Sequence, residues 1–549
     1  MKKFIGIILA ISMLLSFPIF ASAEDASSGL QKDLVILFTS DIHCGVDQGF
    51  GVVGLKGIKN QLEKENYVLL VDNGDSTQGS PIGSLTRGES IITLMNAVGY
   101  DIATLGNHEF DYGMDRFFEL TEDAEFPFIS ANFTHNGELV FKPYEIREFD
   151  GVKVAFIGVT TPKTLISSDP EHFTDENRNY VYGFCEDDSG EKLYAAVQSA
   201  VDSARADGAQ YVVAMAHLGI ETACSPWMST ELITNTTGID VLLDGHSHSI
   251  TGQEKVLNKD GKEVLHSACG TRLEAIGCCR ITPDGNISTE LYQWNQDVSA
   301  PDFFGFENEL TPVLLAETEA LNKKLTEVVA VSQVDLIVND PETGERVIRN
   351  NETNLGDLVA DAYRDQTGAD VAIINGGGIR LPIKTGMVTL NDIISCHPFD
   401  NYLCMVRANG QQILDALEWC NHSVPGEFGG YLHVSGLTYE LHTDIESSCT
   451  SDEKGMFTGV SGEYRVQNVM INGEPLDVNK EYTVASQNYM LKSGGDGTNM
   501  FINDEVLLDE IKISYQTLLD YIVDTLGGEI GEEYADIWGQ GRVTVITGE

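Results

Sequence analysis

Seven side chains of the kinds that bind transition metals occur in the first half of the sequence, most of them just after apolar segments. They are Asp41, His43, Asp75, Asn107, His217, His246 and His248. The apolar segments, such as DLVILFTSD and QYVVAMAHLG, are rich in β-branched residues and predict buried strands. In open α/β folds, ligands bind at the carboxyl ends of the strands. We therefore expect the seven side chains to meet at one sheet edge, where they suffice to hold two divalent metal ions.

Hydrolysis by two metals requires a carboxylate that bridges ions about 3.5–4 Å apart. Asp75 is the expected bridge, because Gly74 before it permits a sharp turn from strand to loop. Asp72, three residues earlier, is interpreted as a support of that loop. The histidines among the seven favour Zn, Mn, Co or Fe over Mg or Ca, since imidazole suits transition metals.

The fragments that carry these residues resemble, in their order, the metallophosphoesterase pattern D-x-H, G-D, G-N-H-[DE], H and G-H-x-[HQ]. The resemblance implies that one ion is bound by Asp41, His43, Asp75 and His248, and the other by Asp75, Asn107, His217 and His246. It also implies a catalytic dyad of His108 and Asp111 that faces the transferred phosphoryl group, with the carboxylate stabilising the cationic imidazole. The alternative is that His108 caps a helix that Asp111 begins. The implied reaction is in-line attack of a metal-bound hydroxide on phosphorus.

The second half of the sequence resembles the C-terminal domain of the 5′-nucleotidase family, which includes bacterial UDP-sugar hydrolases and animal ecto-5′-nucleotidase. The matching segments are ETNLGDLVADAY, INGGGIR, HPFDN and QNYMLKSGGDG. The resemblance implies that two aromatic rings sandwich the base, an aspartate binds the ribose hydroxyls, and arginines hold the phosphate. Phe399 and Tyr489 match the two rings, and Asp496 matches the ribose ligand. Arg349 and Arg380 match the phosphate arginines, and Asn375 matches a contact to the base. Tyr489 departs from the pattern, because its spacing to Asp496 is one residue longer than the family's usual run.

These motifs predict a calcineurin-like metallophosphoesterase α/β sandwich followed by an α+β substrate-binding domain. The predicted ranges are a signal peptide over 1–23, a catalytic domain over 24–305, a linker helix over 306–330 and a nucleotide-binding domain over 331–549. Segments 51–66 and 88–101 predict crossover helices between strands. In the linker, Thr311 and Pro312 suit a helix start, and the expected apolar stripe is formed by Leu314, Leu321, Leu325 and Val328.

Length and composition restrict the remaining possibilities. A chain of 549 residues predicts at least two domains. Lys2 and Lys3, an apolar run and the sequence Ala-Ser-Ala ending at Ala23 predict a signal peptide, and hence a secreted protein without a stable membrane anchor. The net charge of −50 argues against nucleic-acid polymers and anionic membranes as partners, since both need a basic surface. The oligomeric state stays open.

The ten cysteines are too dilute for a disulfide scaffold. Pairing of Cys185 with Cys224, or among Cys396, Cys404 and Cys420, is left open. Cys44 follows the Asp-x-His motif and is expected to be a buried structural residue rather than a metal ligand.

The function expected from these features is a secreted, dimetal-dependent 5′-nucleotidase that hydrolyses nucleoside 5′-monophosphates to nucleoside and phosphate. One alternative is a 2′,3′-cyclic-nucleotide 2′-phosphodiesterase/3′-nucleotidase, whose relatives share the DNGDxxQGxP segment found at 72–81. Another is a UDP-sugar or dinucleotide pyrophosphatase. A non-catalytic nucleotide-binding surface protein is the alternative from a different class, and lost metal ligands would mark it. No expected ligand is missing from this sequence.

Overall fold

The structure is a computed structural model that describes residues 29–175, 177–294, 307–509 and 511–548. The predicted signal peptide lies outside the described residues. Within these ranges, no helix is both long enough and apolar enough to cross a bilayer. All ten cysteines are free thiols, so neither of the disulfide pairings left open by the sequence is formed.

The first domain contains fourteen strands within the described residues. They are β1 (Leu34–Thr39), β2 (Tyr67–Asp72), β3 (Ile102–Ala103), β4 (Thr134–His135), β5 (Glu138–Leu139), β6 (Tyr144–Phe149), β7 (Val152–Thr160), β8 (Tyr182–Gly183), β9 (Tyr211–His217), β10 (Val241–Asp244), β11 (Ile250–Leu257), β12 (Glu263–Cys269), β13 (Ala275–Ile281) and β14 (Ile287–Gln293). Its α-helices are α1 (Gly51–Leu62), α2 (Pro81–Thr86), α3 (Glu89–Val98), α4 (Met114–Asp123), α5 (Thr164–Ser167), α6 (Glu191–Ala206) and α7 (Ser229–Asn235).

Two large sheets form the centre of this domain. Their strand orders are β14-β13-β1-β2-β3 and β11-β12-β10-β9-β7-β6. Strands β1, β2 and β3 run parallel to one another, as do β7, β9, β10 and β12. The parallel strands of each sheet therefore place their carboxyl ends, and the loops that follow them, at a common edge.

The alternation of side chains along β1 explains the layering. Ile36 and Phe38 face the second sheet and pack with residues of β7, β9 and β10. Val35 and Leu37 face the other way and pack beneath helices α1 and α3. Helices α6 and α7 cover the outer face of the second sheet. Because every residue of β1 is buried, its sequence is a continuous apolar run rather than an alternating one.

The second domain continues the chain with strands and helices that alternate irregularly. Its strands are β15 (Val328–Ser332), β16 (Val371–Asn375), β17 (Gly386–Thr389), β18 (Leu403–Asn409), β19 (Leu432–Ser435), β20 (Leu437–His442), β21 (Cys449–Ser451), β22 (Phe457–Val460), β23 (Val466–Ile471), β24 (Glu474–Pro475), β25 (Glu481–Gln487), β26 (Glu505–Leu508), β27 (Glu529–Ile530) and β28 (Val543–Ile546). Its helices are α9 (Asn354–Thr367), α10 (Leu390–Cys396), α11 (Gly410–Cys420), α12 (Asn488–Leu491) and α13 (Ser514–Asp520).

The central sheet of this domain has the order β19-β16-β25-β18-β26 and mixes parallel and antiparallel neighbours. Helices α9, α10 and α13 pack in one core with this sheet, and α11 packs in a separate core with β20 and β23. The expected architecture, an α/β sandwich joined to an α+β domain, is the one observed.

Helix α8 (Thr311–Leu325) connects the two domains. Leu314 and Leu321 pack against the first domain's core, and Leu325 packs with Leu390 and Ile394 of the second. The expected place of Val328 on this helix is wrong. The helix ends at Leu325, and Val328 begins β15, where it pairs with β17. Strand pairing, which helical periodicity does not reveal, determines this end.

Candidate active site

The loops that follow β1, β2, β3, β9 and β10 bring the predicted metal ligands together. The β1 and β2 loops are tied by two main-chain hydrogen bonds, from Asp41 N to Gly74 O and from His43 N to Asp75 O, each 2.9 Å long. His217 is the last residue of β9 itself. The candidate metal ligands therefore lie together at the carboxyl edge of both sheets, as expected.

Five of these residues adopt the left-handed backbone region that residues other than glycine rarely enter. The φ angles are 52° at Asp41, 47° at His43, 59° at Asp75, 76° at His246 and 54° at His248. Such conformations are unfavourable and persist where the surrounding structure enforces them, which is common at functional sites.

The ligand side chains form two groups, each with its donor atoms within 4.8 Å of one another. One group contains Asp41, His43 and His248, and the other contains Asp75, His217 and His246. Asp75 lies between the groups: its Oδ2 atom is 3.1 Å from Nε2 of His217 and 3.9 Å from Nε2 of His43. This is the position that the sequence predicted for a bridging carboxylate.

Outer hydrogen bonds orient the imidazoles toward the centre. Nδ1 of His43 lies 3.0 Å from the carbonyl oxygen of Gln78, and Nδ1 of His217 lies 2.8 Å from that of Asn73. An Nδ1–H that donates to a carbonyl leaves the Nε2 lone pair free for a metal. Oδ1 of Asn107 is buried and has no hydrogen-bond partner among the described residues. These donors fit two divalent transition-metal ions, which would also satisfy the amide oxygen.

Charges in the centre are set by burial and by neighbouring groups. Burial lowers the pKa of His43, His246 and His248 well below the ordinary value, so these imidazoles are neutral, as metal ligands must be. For Asp75, burial acts to raise the pKa, but His217 and other nearby imidazoles outweigh it and hold the pKa well below its usual range. Burial raises the pKa of Asp41 to about 7.

His108 and Asp111 form the predicted pair. Nδ1 of His108 lies 2.6 Å from Oδ2 of Asp111, and the two side chains are only 10% and 9% exposed. The main-chain N–H of His108 donates to Oδ1 of Asp75 at 2.8 Å, which fixes the pair relative to the central carboxylate. Burial disfavours the imidazolium, but Asp111 and Asp75 outweigh it and raise the pKa of His108 above its ordinary value. Asp111 and Asp75 therefore favour the cationic form of an imidazole that faces the centre.

The second domain completes the site from the other side of a shared cleft. All six predicted substrate-binding residues line this cleft, together with Asp75, Asn107 and His108 of the first domain. The Phe399 ring lies 5.5 Å from the His108 ring, and Nη2 of Arg380 lies 3.4 Å from Nε2 of His43. Residues from the first and second halves of the sequence, such as His43 and Arg380 at 337 positions apart, therefore face one volume.

Two arginines give the cleft an anion-binding wall. Burial and the repulsion of neighbouring arginines lower the pKa of Arg349 to about 9 and that of Arg380 to about 10. Guanidinium groups whose charge is destabilised by burial and by neighbouring arginines favour a bound anion, and their planar donors suit phosphoryl oxygens.

Asn375 and Asp496 contact each other in the cleft. Nδ2 of Asn375 donates to Oδ2 of Asp496 at 2.8 Å, and Trp419 Nε1 donates to the main-chain oxygen of Asp496 at 2.8 Å. Both residues line the cleft. Asn375 and Asp496 therefore lie in the part of the cleft that the second domain forms.

Tyr489 is packed more tightly than a free stacking ring. It is 7% exposed, and a Cβ atom on Gly495 would lie 2.2 Å from its Cζ, so the ring fills the space beside that glycine. Its hydroxyl donates to Ile166 O at 2.6 Å and accepts from Asp496 N at 3.0 Å. A base-stacking role for Tyr489 stays a prediction.

Comparison with known proteins identifies the family. Residues 34–249 match the model of the calcineurin-like phosphoesterases, and residues 328–503 match that of the 5′-nucleotidase C-terminal domain. The chain joins a calcineurin-like phosphoesterase domain to a 5′-nucleotidase C-terminal domain. The family expected from the sequence is thus confirmed.

Relatives of this family match over most of their length. The 5′-nucleotidase of Vibrio cholerae is 27% identical over 91% of this chain and 92% of its own. The UshA protein of Escherichia coli is 25% identical over 92% of this chain and 94% of its own. The solved structure of a 5′-nucleotidase precursor from Thermus thermophilus has a TM-score of 0.76 at 25% identity, covering 94% of this chain and 99% of that one.

Glu109 has a supporting role that its place in the Gly-Asn-His-Glu fragment does not reveal. Its carboxylate accepts the main-chain N–H groups of Asp75 and Ser76, each at 2.8 Å, and that of Gly106 at 2.7 Å. It therefore holds the β2 and β3 loops together and belongs to neither ligand group.

Asp72 and Cys44 have the structural roles expected of them. Asp72 accepts hydrogen bonds from Gly74 N at 3.1 Å and from Ser76 Oγ at 2.8 Å, which supports the loop of the central carboxylate. Cys44 is 1% exposed, and burial raises the pKa of its thiol to about 12.

Two further cleft residues were missed by the sequence reasoning. Arg346 lines the cleft three positions before Arg349 and is paired with Glu427. Phe428 lines the same cleft and follows Glu427 in a glycine-containing turn. The spacing of the two arginines was an available signal, whereas no local pattern distinguishes Phe428 from a core aromatic.

Proposed function

We propose that this protein is a dimetal 5′-nucleotidase that hydrolyses nucleoside 5′-monophosphates to nucleoside and phosphate. The observation that carries the proposal is the approach of Phe399 to His108, with ring centroids 5.5 Å apart. A flat apolar ring of the second domain thus lies close enough to the dyad and the candidate metal ligands of the first domain for one nucleotide to contact both. A nucleoside monophosphate has the matching order of groups, with a flat base at one end and a phosphoryl group at the other.

Each set of residues has a role in this reaction. The seven ligands would hold two divalent ions, which supply Lewis-acid activation of water and phosphoryl oxygens when bound. Arg349 and Arg380 bind the equatorial phosphoryl oxygens and oppose their negative charge. His108, held cationic by Asp111, stabilises the charge that develops as the ester bond breaks.

The second domain determines which ester is presented. Phe399 offers a face for the base, and Asp496 is placed to accept hydrogen bonds from ribose hydroxyls. Phosphate on the 5′ oxygen lets the nucleoside extend from the metal centre toward these residues. The 3′-nucleotidase and cyclic phosphodiesterase alternatives require a different orientation of the sugar relative to Asp496.

A second cavity supports a pyrophosphatase activity as the second candidate. It has a volume of about 590 Å³ and shares His248, Arg346, Arg349 and Arg380 with the cleft. Arg272 and Lys384 also line this cavity, so basic side chains outnumber acidic ones in its wall. A group attached to phosphorus on the side away from the nucleoside, as in a nucleotide sugar or dinucleotide, has room there.

We also propose that the mature protein acts outside the cytoplasm. Lys2 and Lys3, the apolar run that follows and the Ala-Ser-Ala sequence ending at Ala23 support this. The N-terminal sequence of protein recovered from the extracytoplasmic fraction tests it, with cleavage after Ala23 as the expected result.

Phosphate release from 5′-AMP, 3′-AMP, 2′,3′-cyclic AMP and UDP-glucose, measured side by side with Mn, Co, Zn and Mg, tests the function. We expect 5′-AMP to have the highest kcat/KM. A higher kcat/KM for 3′-AMP or cyclic AMP would replace the proposed function with the first alternative. Binding of AMP with no turnover in any metal would replace it with the non-catalytic one.

A further inference from the structure

Ser168 contacts the His–Asp dyad through the carboxylate oxygen that the histidine does not use. Its hydroxyl donates to Oδ1 of Asp111 at 2.9 Å, while Oδ2 of Asp111 lies 2.6 Å from Nδ1 of His108. Ser168 is 2% exposed. A carboxylate bound at both oxygens is restricted in rotation, and its orientation determines the direction in which the imidazole faces.

The segment that carries Ser168 is held by hydrogen bonds within the first domain. Residues 164–168 comprise the short helix α5 and the residue after it. Thr164 Oγ1 donates to Thr161 O at 2.6 Å, and Ser168 N donates to Thr164 O at 3.1 Å. Thr164 anchors the start of the turn, and its hydroxyl is directed to Thr161 rather than to the dyad.

The same segment is held from the other side by the second domain. The Tyr489 hydroxyl donates to Ile166 O at 2.6 Å. The Ile166 side chain packs on the backbone of Gly455, where an added Cβ would lie 2.8 Å from Ile166 Cδ1. Only Ser167 separates Ile166 from Ser168, so a contact of the second domain with Ile166 acts close to the residue that holds Asp111.

Tyr489 also contacts the nucleoside end of the cleft. Its hydroxyl accepts the main-chain N–H of Asp496 at 3.0 Å. One tyrosine hydroxyl therefore joins the Asp496 turn, where the sugar is expected, to the turn that ends at Ser168. Substrate that orders the Asp496 turn favours the same docked arrangement in which Asp111 is held at both oxygens.

We propose that Ser168 is a positioning residue for the Asp111–His108 dyad, and that residues 166–168 align the dyad when the second domain is docked. The inference rests on the phosphoesterase function proposed above. It adds a residue that acts through Asp111 and a route by which nucleoside recognition affects the rate of the chemical step.

Substitution of Ser168 tests the first part. Ser168→Ala should lower kcat roughly tenfold, the loss expected for one hydrogen bond to a charged group, while KM and bound metal stay unchanged. Ser168→Thr keeps the hydroxyl and should restore most of the rate. Ser168→Cys, which has similar size and a weak donor, should behave like the alanine variant and provides the comparison if that variant does not fold.

Thr164→Val is the matched control. It removes a hydroxyl from the same turn without touching Asp111, so it should lower Tm and leave kcat near the wild-type value. Unchanged kcat in both Ser168→Ala and Ser168→Cys would overturn the proposal. An equal loss of kcat in Thr164→Val would overturn it as well, because the effect would then be one of general stability.

Tyr489→Phe tests the second part in a double-mutant cycle. The variant keeps the ring and loses the hydroxyl's bonds to Ile166 O and Asp496 N. It should lower kcat in the wild-type background and have little further effect on kcat with Ser168→Ala, because the proposed route to the dyad ends at Ser168. Independent effects of the two substitutions would refute the coupling. All ratios are taken on whichever phosphoester the wild-type enzyme hydrolyses fastest. A wild type that prefers another ester thus refutes the proposed function without deciding the role of Ser168.

Discussion

Phe399→Ala should separate recognition of the nucleoside from cleavage of the phosphate. Phe399 follows helix α10, and its ring lies between two groups of the cleft: the His108 ring at 5.5 Å and Arg380 Cζ at 5.7 Å. Loss of one stacking face costs about 1–3 kcal/mol per base. We therefore expect kcat/KM for AMP to fall by a factor of about 5 to 150, mostly through KM.

The assay compares AMP with p-nitrophenyl phosphate on the same enzyme preparation. The aryl phosphate reaches the metal centre but is too short to require the base site, so its kcat/KM should change little. Phe399→Tyr is the control, because it keeps an aromatic face of nearly the same shape. It should retain most of the activity toward AMP.

An equal loss of kcat/KM for AMP and for p-nitrophenyl phosphate would refute this reasoning. Phe399 contacts His108 and Arg380, so its removal could instead disturb the dyad or the arginine. That outcome would make the ring a support of the catalytic groups, and the assignment of the base site would have to move to the other cleft aromatics.

Three further predictions follow from the site and the core. Asp75→Asn should reduce kcat by several orders of magnitude and weaken the binding of both metals, which calorimetry measures. Asp72→Asn should have a much milder effect on both quantities. Near-normal turnover of Asp75→Asn with two metals bound would contradict the bridging role. His108→Ala should lower kcat by about 10²-fold or more with metal content unchanged, and loss of metal would make the residue a ligand instead. Burial lowers the pKa of His397 to about 4, so its contribution to stability is complete above pH 6.5 and is lost as pH falls toward 4. This contribution to the free energy of unfolding is about 3 kcal/mol. In urea unfolding at pH 7 and pH 4.5, the free energy of unfolding should fall less between the two pH values in His397→Gln than in wild type.

The sequence predicted that the candidate metal ligands lie together because their signal is local. Each lies within a few residues of a buried strand, and strand ends are marked by the change from apolar to polar residues. For example, β1 ends at Thr39 and Asp41 follows, and β10 ends at Asp244 and His246 follows. Parallel pairing then places such loops together without further information about side-chain packing.

The supports of these ligands could not be predicted in the same way. Glu109 accepts from main-chain groups of Asp75 and Ser76, more than thirty positions earlier. Its partners are N–H groups, which have no sequence signature. The left-handed backbone at the ligands is also absent from any local pattern, because close packing of the loops rather than residue type enforces it.

Tyr489 shows how one additional residue changes a predicted contact. The segment between it and Asp496 is one residue longer than the family pattern, and a short helix, Asn488–Leu491, contains the tyrosine. The ring packs beside Gly495, and its hydroxyl is used twice. Motif matching identified the residue, but the direction of its side chain depends on a contact with Ile166 in the other domain.

The charge of the whole chain and the charge of the cleft act in opposite directions. The net charge of −50 opposes the approach of a nucleotide at long range, yet Arg346, Arg349 and Arg380 line the cleft. Burial and mutual repulsion lower the pKa of Arg349 to about 9, which means that its charged form is destabilised until an anion is present. A phosphoryl group removes part of that cost, whereas a nucleoside without phosphate does not. Release of the nucleoside product should therefore leave phosphate as the more tightly held group, and the apolar and polar contacts of the second domain are needed to select a nucleotide over inorganic phosphate.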